Sequence, residues 1–211
     1  MHEVFTEEFE KHRDDLGRQL ATAIAERALP RLYFRHAVVA NAPADCPVFP
    51  LAIYLDGVSF TRNDTVLRIW LVCLLTNRRW LLMAIRKSDT CKCGCRGWCS
   101  LHPLFSVLAW SSVALAEGAH PWDRHDARGY PGDGIRTATA GHNLGYRGAI
   151  LFIIEEWAEY ANTLGFPTWA SLQSLCLVCR STLASVYDLG GVSVLSLPWP
   201  PKTYADLCCC M

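Results

Sequence analysis

The chain has 211 residues, 20 Lys+Arg against 20 Asp+Glu, 51% hydrophobic residues, 11 Cys and 8 Trp. That length suits one domain with an arm, and a hydrophobic half with 19% charged residues excludes a wholly disordered chain. Zero net charge argues against a generic polyanion binder, yet residues 62–99 hold eight basic side chains against Asp64 and Asp89, a local excess of six that the rest of the chain offsets.

Residues 1–40 read as an N-terminal helical arm. Phe9, Leu16, Leu20 and Ile24 recur at helical spacing among charges, and the stripe offers a surface for a protein partner. Thr6 is the expected cap, Glu7/Lys11 and Asp14/Arg18 are favourable four-apart pairs, and Pro30 is the stop. The polar stretch Asn41 to Pro47 separates the arm from a main domain over 41–197, and 198–211 read as a disordered tail.

Three strands follow: Val48 to Leu55, ending in Asp56-Gly57; Val66 to Leu75; and Trp80 to Arg86 after the turn Thr76-Asn77-Arg78. Connections this short demand an antiparallel meander. The apolar runs Ile69 to Leu75 and Trp80 to Ile85 are split by Asn77, Arg78 and Arg79, so neither reaches the length of a membrane span. The acidic N-terminus is no signal peptide, and the expectation is an intracellular protein without membrane association. Beyond a cysteine-rich segment, Leu101, Leu104, Phe105, Leu108 and Leu115 mark one helix ending at Gly118. A polar loop from His120 to Gly145 leads to a strand, Ala149 to Ile154, then to short helical stretches near 157–164 and 169–183. Within that loop, His120 to Asp126 sets histidines beside acids, a composition shared by metal or phosphate loops and by ordinary polar surface loops.

Strand, strand, strand, helix, strand, helix is the order of an α+β, ribonuclease-H-like core. In that architecture the first and fourth strands lie side by side, where carboxylates can hold Mg²⁺ for phosphodiester chemistry. Asp56, Glu156 and Glu159 are the candidate acids; a solvated turn aspartate and helix N-terminal acids are the bland alternative.

Four thiols in nine residues, Cys91, Cys93, Cys95 and Cys99, form a knuckle suited to tetrahedral Zn²⁺, placed at 91–102 as an insertion in the core. Cys176 and Cys179 form a CxxC pair that can complete a site with Cys95 and Cys99 or with Cys93 and Cys95; His102 can replace one thiolate. Cys73 reads as a buried strand residue, and Cys208 to Cys210 as a run without a role. Arg78, Arg79, Arg86, Lys87, Lys92 and Arg96, interleaved with Trp70, Trp80 and Trp98, have the composition of a nucleic-acid-contacting surface, with DNA the expected partner.

Tyr54-Leu55-Asp56-Gly57-Val58-Ser59-Phe60-Thr61, Arg86-Lys87-Ser88, Cys93-Gly94-Cys95-Arg96-Gly97-Trp98-Cys99, Trp157-Ala158-Glu159, Leu164-Gly165-Phe166 and Cys176-x-x-Cys179 together resemble the core of ribonuclease-H-like DDE transposases of the Kyakuja–Dileera–Zisupton and Plavaka kind. The resemblance runs from about Tyr54 to Trp199. It implies Mg²⁺-dependent DNA strand cleavage and transfer, Asp56 as the first acid, a structural Zn²⁺ insertion and a nuclear location. This chain has Glu155-Glu156 where that family carries Gly-Asp, and no convincing third acid, Asp188 being a distant candidate. The expectation is therefore a truncated, catalytically impaired relative; a non-catalytic, zinc-stabilised nucleic-acid- or protein-binding module is the alternative.

Overall fold

The computed structural model describes residues 1–62, 64–95 and 97–155. In chain order these form α1 (His2–Ala25), α2 (Arg31–Arg35), α3 (Ala37–Ala40), β1 (Val48–Thr61), β2 (Asp64–Cys73), β3 (Arg79–Arg86), a 3₁₀ turn (Lys87–Asp89), α4 (Trp98–Glu117), α5 (Gly134–Thr139) and β4 (Arg147–Glu155). The strands make one mixed four-stranded sheet in the order β3-β2-β1-β4, so the class is α+β. Residues Met1–Cys91 and Trp98–Ile154 form one compact unit; the described residues between them belong to the cysteine loop.

The meander is antiparallel throughout. Leu51 pairs with Cys73, Asp56 with Arg68 and Val58 with Val66 between β1 and β2, while Val66 pairs with Arg86 and Leu71 with Trp80 between β2 and β3. Asn77 takes a positive φ of 56° in the β2–β3 turn, a conformation asparagine tolerates better than most residues. β1 runs longer than its composition predicts. Asp56-Gly57 is not a turn but mid-strand, because Gly57 pairs with Leu67 and the ladder continues to the Thr61–Asp64 end.

Pairing fixes which side chains share a face, and one face of this sheet is the core. Phe5, Phe9, Leu16 and Leu20 of α1 pack with Phe49, Leu51, Leu71, Cys73, Leu115, Tyr146 and Ala149. Leu101 and Leu108 of α4 pack on Leu55, Leu67 and Ile69. Rings dominate the α1 contact: Phe5 lies 5.4 Å from Phe49, 5.8 Å from Trp80 and 5.2 Å from Tyr146, centroid to centroid. These are tilted and edge-on arrangements, each adding roughly 0.5–1.5 kcal/mol to simple area burial. The N-terminal helix is thus part of the same unit as the sheet rather than a separate arm. Its stripe is spent on its own chain.

The helix ends also depart from expectation. Thr6 lies inside α1 and its hydroxyl donates to the His2 carbonyl, so it caps nothing; Met1 is the N-cap. The kink at His12 interrupts α1, which stops at Ala25, before Pro30. Lys11 does reach Glu7, at 2.6 Å, but Arg18 pairs with Asp15 rather than Asp14. Such solvent-exposed pairs are screened and add little to stability.

α4 starts three residues before its first expected apolar position and ends where expected. Gly118 follows it at φ +73°, and a Cβ there would come within 2.8 Å of the Tyr146 carbonyl oxygen. By length and composition α4 also qualifies as a membrane span, a match that counting uninterrupted apolar runs misses. Leu101, Leu108, Ala114 and Leu115 are its buried apolar residues, Pro103 lies within it, and most of its other positions are half-buried or exposed. One marginal helix of this kind is no clear transmembrane segment.

A buried polar knot ties α1 to α4. The His2 backbone N–H donates to Ser111 Oγ at 2.9 Å, His2 Nδ1 lies 2.8 Å from the same oxygen, and both residues are 2% exposed. The Tyr146 hydroxyl sits 2.9 Å from Thr6 Oγ1 and donates to the His2 carbonyl at 3.3 Å. Burial above all, then the neighbouring N-terminal amine, pushes the His2 imidazole down to about 4, with Glu3 acting the other way.

Phe5→Ala should lower unfolding stability by about 3–5 kcal/mol in urea titrations, and Gly118→Ala by more than ~1 kcal/mol. For His2 the folded pKa of about 4 lies below the ordinary 6.5, so the unfolded chain takes the proton first as pH falls. Its effect on stability is therefore nil above about pH 6.5, grows as a loss between 6.5 and 4, and reaches roughly 3 kcal/mol below that. The urea midpoint of His2→Gln should change less than that of the unaltered chain between pH 7.5 and 4.5.

Candidate metal centre and the basic sheet

The cysteine loop is anchored before its first thiol. Asp64, at the start of β2, accepts from Arg86 Nε at 2.9 Å, from the Ser88 backbone N–H at 3.1 Å and from Ser88 Oγ at 2.9 Å. Desolvation opposes its charge, but these donors together hold the carboxyl below its ordinary range. The 3₁₀ turn closes with Thr90, whose N–H and hydroxyl both donate to the Lys87 carbonyl, at 3.2 and 2.7 Å. Cys91 N–H then donates to Ser100 Oγ in the first turn of α4 at 2.9 Å, pinning one end of the loop to the other.

Between these anchors the backbone curls. Gly94 and Gly97 take φ of +93° and +85°, values that side-chain-bearing residues rarely adopt. The curl gathers the four thiols: the Sγ atoms of Cys91, Cys93, Cys95 and Cys99 all lie within 4.8 Å of one another. Four thiolates at a Zn–S distance of about 2.3 Å require sulfur separations of about 3.8 Å, so no pair here is more than about 1 Å too far apart. The four cysteines can hold a metal ion such as zinc. Cys91 and Cys95 are half-buried, while Cys93 and Cys99 are exposed.

The ligand sets left open by spacing also drew on Cys176 and Cys179, which lie outside the described residues. The converging group among the described residues is cysteine alone; His102 lies in α4 with its ring 5.9 Å from that of Trp98 and is not part of it. Glu156, Glu159, Asp188, Arg96 and Cys208 to Cys210 also lie outside the described residues. Cys73 is buried in β2, and Cys46, whose thiol burial pushes up against the pull of Arg147, stands apart near Pro47.

Asp56 lies within β1, not at its end, and faces Arg68 across the β1–β2 ladder. Arg68 Nη2 donates to Asp56 Oδ2, and the carboxylate is largely buried. A metal ion at Asp56 would have to compete with that guanidinium. Of the expected basic residues, Arg78 is bonded to Glu8 of α1, and Arg86 to Asp64. Arg79 lies over the Tyr54 ring, 5.4 Å from its centroid, and Lys92 is exposed. Lys87 sits in the 3₁₀ turn. Asp126 in the His120 to Asp126 loop is held by Arg124 and Arg128, at 3.5 and 3.8 Å.

Sequence reasoning missed Asp64 as the anchor of the loop and Tyr54 and Phe60 as partners of the arginines. A period of two through 54, 56, 58 and 60 carried the second signal, but it becomes readable only once β1 extends past Asp56-Gly57. No family model, curated protein or solved structure matches this chain.

Purified protein should carry close to one zinc per chain by elemental analysis. Cys95→Ser or Cys99→Ser should drop that below half. Metal retention should weaken as pH falls below neutrality, because each ligand must lose its proton to bind.

Proposed function

We propose that the chain is a zinc-stabilised, nucleic-acid-binding domain of ribonuclease-H-like architecture, derived from a DDE transposase, whose strand-cleaving chemistry is impaired. The observation that carries this reading is the convergence of four thiols in the loop Cys91 to Cys99. A four-thiolate site with no open position is structural rather than catalytic. Strand order supports the architecture: a three-stranded antiparallel meander, a helix, then a fourth strand beside the first. Eight basic residues within 62–99 support a nucleic-acid partner, DNA being the one the resemblance implies.

The Asp56–Arg68 ion pair supports impairment. Two-metal hydrolysis needs converging carboxylates free to bind Mg²⁺, and here the guanidinium already neutralises the first acid. The reading of an active Mg²⁺-dependent nuclease keeps one observation in its favour, the place of Asp56 on the strand that neighbours β4.

A supercoiled-plasmid assay with Mg²⁺ or Mn²⁺ separates the two. The expected outcome is no metal-dependent nicking above background, and no difference between the unaltered chain and Asp56→Ala. Nicking abolished by Asp56→Ala would establish the nuclease and remove the impaired reading.

A further inference from the structure

Three arginines of the meander lie over aromatic rings. Arg79 sits 5.4 Å from the Tyr54 centroid, Arg68 5.6 Å from that of Trp70 and Arg86 5.5 Å from that of Phe60. Register places them on the sheet face opposite the core: Tyr54 pairs with Trp70, Asp56 with Arg68, Val66 with Arg86 and Val72 with Arg79. α1 and α4 bury the other face, through Leu51, Leu55, Leu67, Ile69 and Leu71. On the arginine face Phe60 is 63% exposed and Leu81 48%. Exposed aromatic and aliphatic surface of this kind, threaded with arginine, is costly to leave facing water without a use.

We propose that this face is a stacking platform for single-stranded nucleic acid. The proposal rests on the nucleic-acid-binding reading above and specifies its surface and the form of the strand. A guanidinium lying on a ring turns its second flat face outward, where a base can stack, and keeps N–H groups at its edge for a phosphate. Charge favours the single strand. Asp56 and Asp64 offset Arg68 and Arg86, so this face has little net positive charge with which to displace counterions from a duplex. What it offers instead is π-surface, and only unpaired bases expose theirs. From Tyr54 to Phe60 the platform runs on the order of 20 Å along β1, the reach of a site of about four nucleotides.

The test is fluorescence anisotropy of the full chain with labelled 12-nucleotide DNA and RNA single strands and the matching DNA duplex, across a salt series. Either single strand should bind at least tenfold tighter than the duplex, with a salt slope of magnitude about 2 or less. Phe60→Ala and Arg79→Ala, both at exposed positions, should each weaken single-strand binding about tenfold while leaving the circular dichroism spectrum and urea midpoint unchanged. The relative affinity for DNA and RNA then identifies the sugar the platform accepts. Duplex binding equal to or tighter than single-strand binding overturns the platform and leaves the broader nucleic-acid reading standing. Single-strand binding indifferent to both substitutions also overturns it, by placing the strand elsewhere. No binding to any of the three probes removes both readings. A dimer in gel filtration that Phe60→Ala dissociates would assign the face to a second copy of the chain instead.

Discussion

Register in the β1–β2–β3 meander is the constraint on which the rest of the molecule depends. Side chains alternate between faces with a period of two, so a slip of one residue would carry Leu55, Leu67, Ile69 and Leu71 out of the core and bring Asp56 and Arg68 into it. That exchange would strand an ion pair against α4, where burying charge costs several kcal/mol per ion, and expose four large apolar side chains. Opposite faces therefore hold each other in place. The aromatic contact of α1 requires the core face, and the arginine–aromatic stacks on the other side are a by-product of the same pairing.

The polar interactions reinforce this arrangement at its ends. Asp64 stands where the β1–β2 hairpin closes, and gathers Arg86 from the end of β3 and Ser88 from the turn beyond it. One carboxylate thus locks two strand ends together and starts the cysteine loop at a fixed point. At the other end of the core, the buried pair His2 and Ser111 joins the first turn of α1 to α4. An imidazole so placed stays neutral, which ties this junction to pH in a way that the aromatic packing around it is not.

The four strands, the helix over 101–115 and the cysteine knuckle were legible in the sequence because each carries its own local signal: alternation or apolar runs bounded by turn residues, a helical stripe ending at glycine, and thiols two and four residues apart. What was not legible depends on partners distant in sequence. Asp56-Gly57 reads as a turn by propensity, and only the pairing of Gly57 with Leu67 keeps it extended. The helical stripe of α1 suggested a detachable arm, since nothing local says that Phe5 will meet Phe49, Trp80 and Tyr146. Likewise the fate of the arginines was hidden. Their number in 62–99 is a fact of composition, but whether each meets an acid, a ring or solvent is decided by cross-strand neighbours.

The same contrast sets the cysteine loop, whose four thiols can hold a metal ion, apart from the meander. The described residues between Lys92 and Gly97 contribute no side chain to either hydrophobic cluster, and two of them, Gly94 and Gly97, hold positive φ. Ordering each such residue costs roughly 1–2 kcal/mol of backbone entropy. A zinc ion held by the four thiolates would contribute about 10–16 kcal/mol near neutral pH, the right size to hold such a loop. The anchors at Asp64, Thr90 and Ser100 bring the ends of the loop into place and so reduce the span the metal must close. With an ion in place, stability in this segment would be linked to metal supply and thiol protonation, while the sheet and α1 draw theirs from packing. If the thiols hold an ion, its removal should open the loop and the first turn of α4 without unpairing the strands.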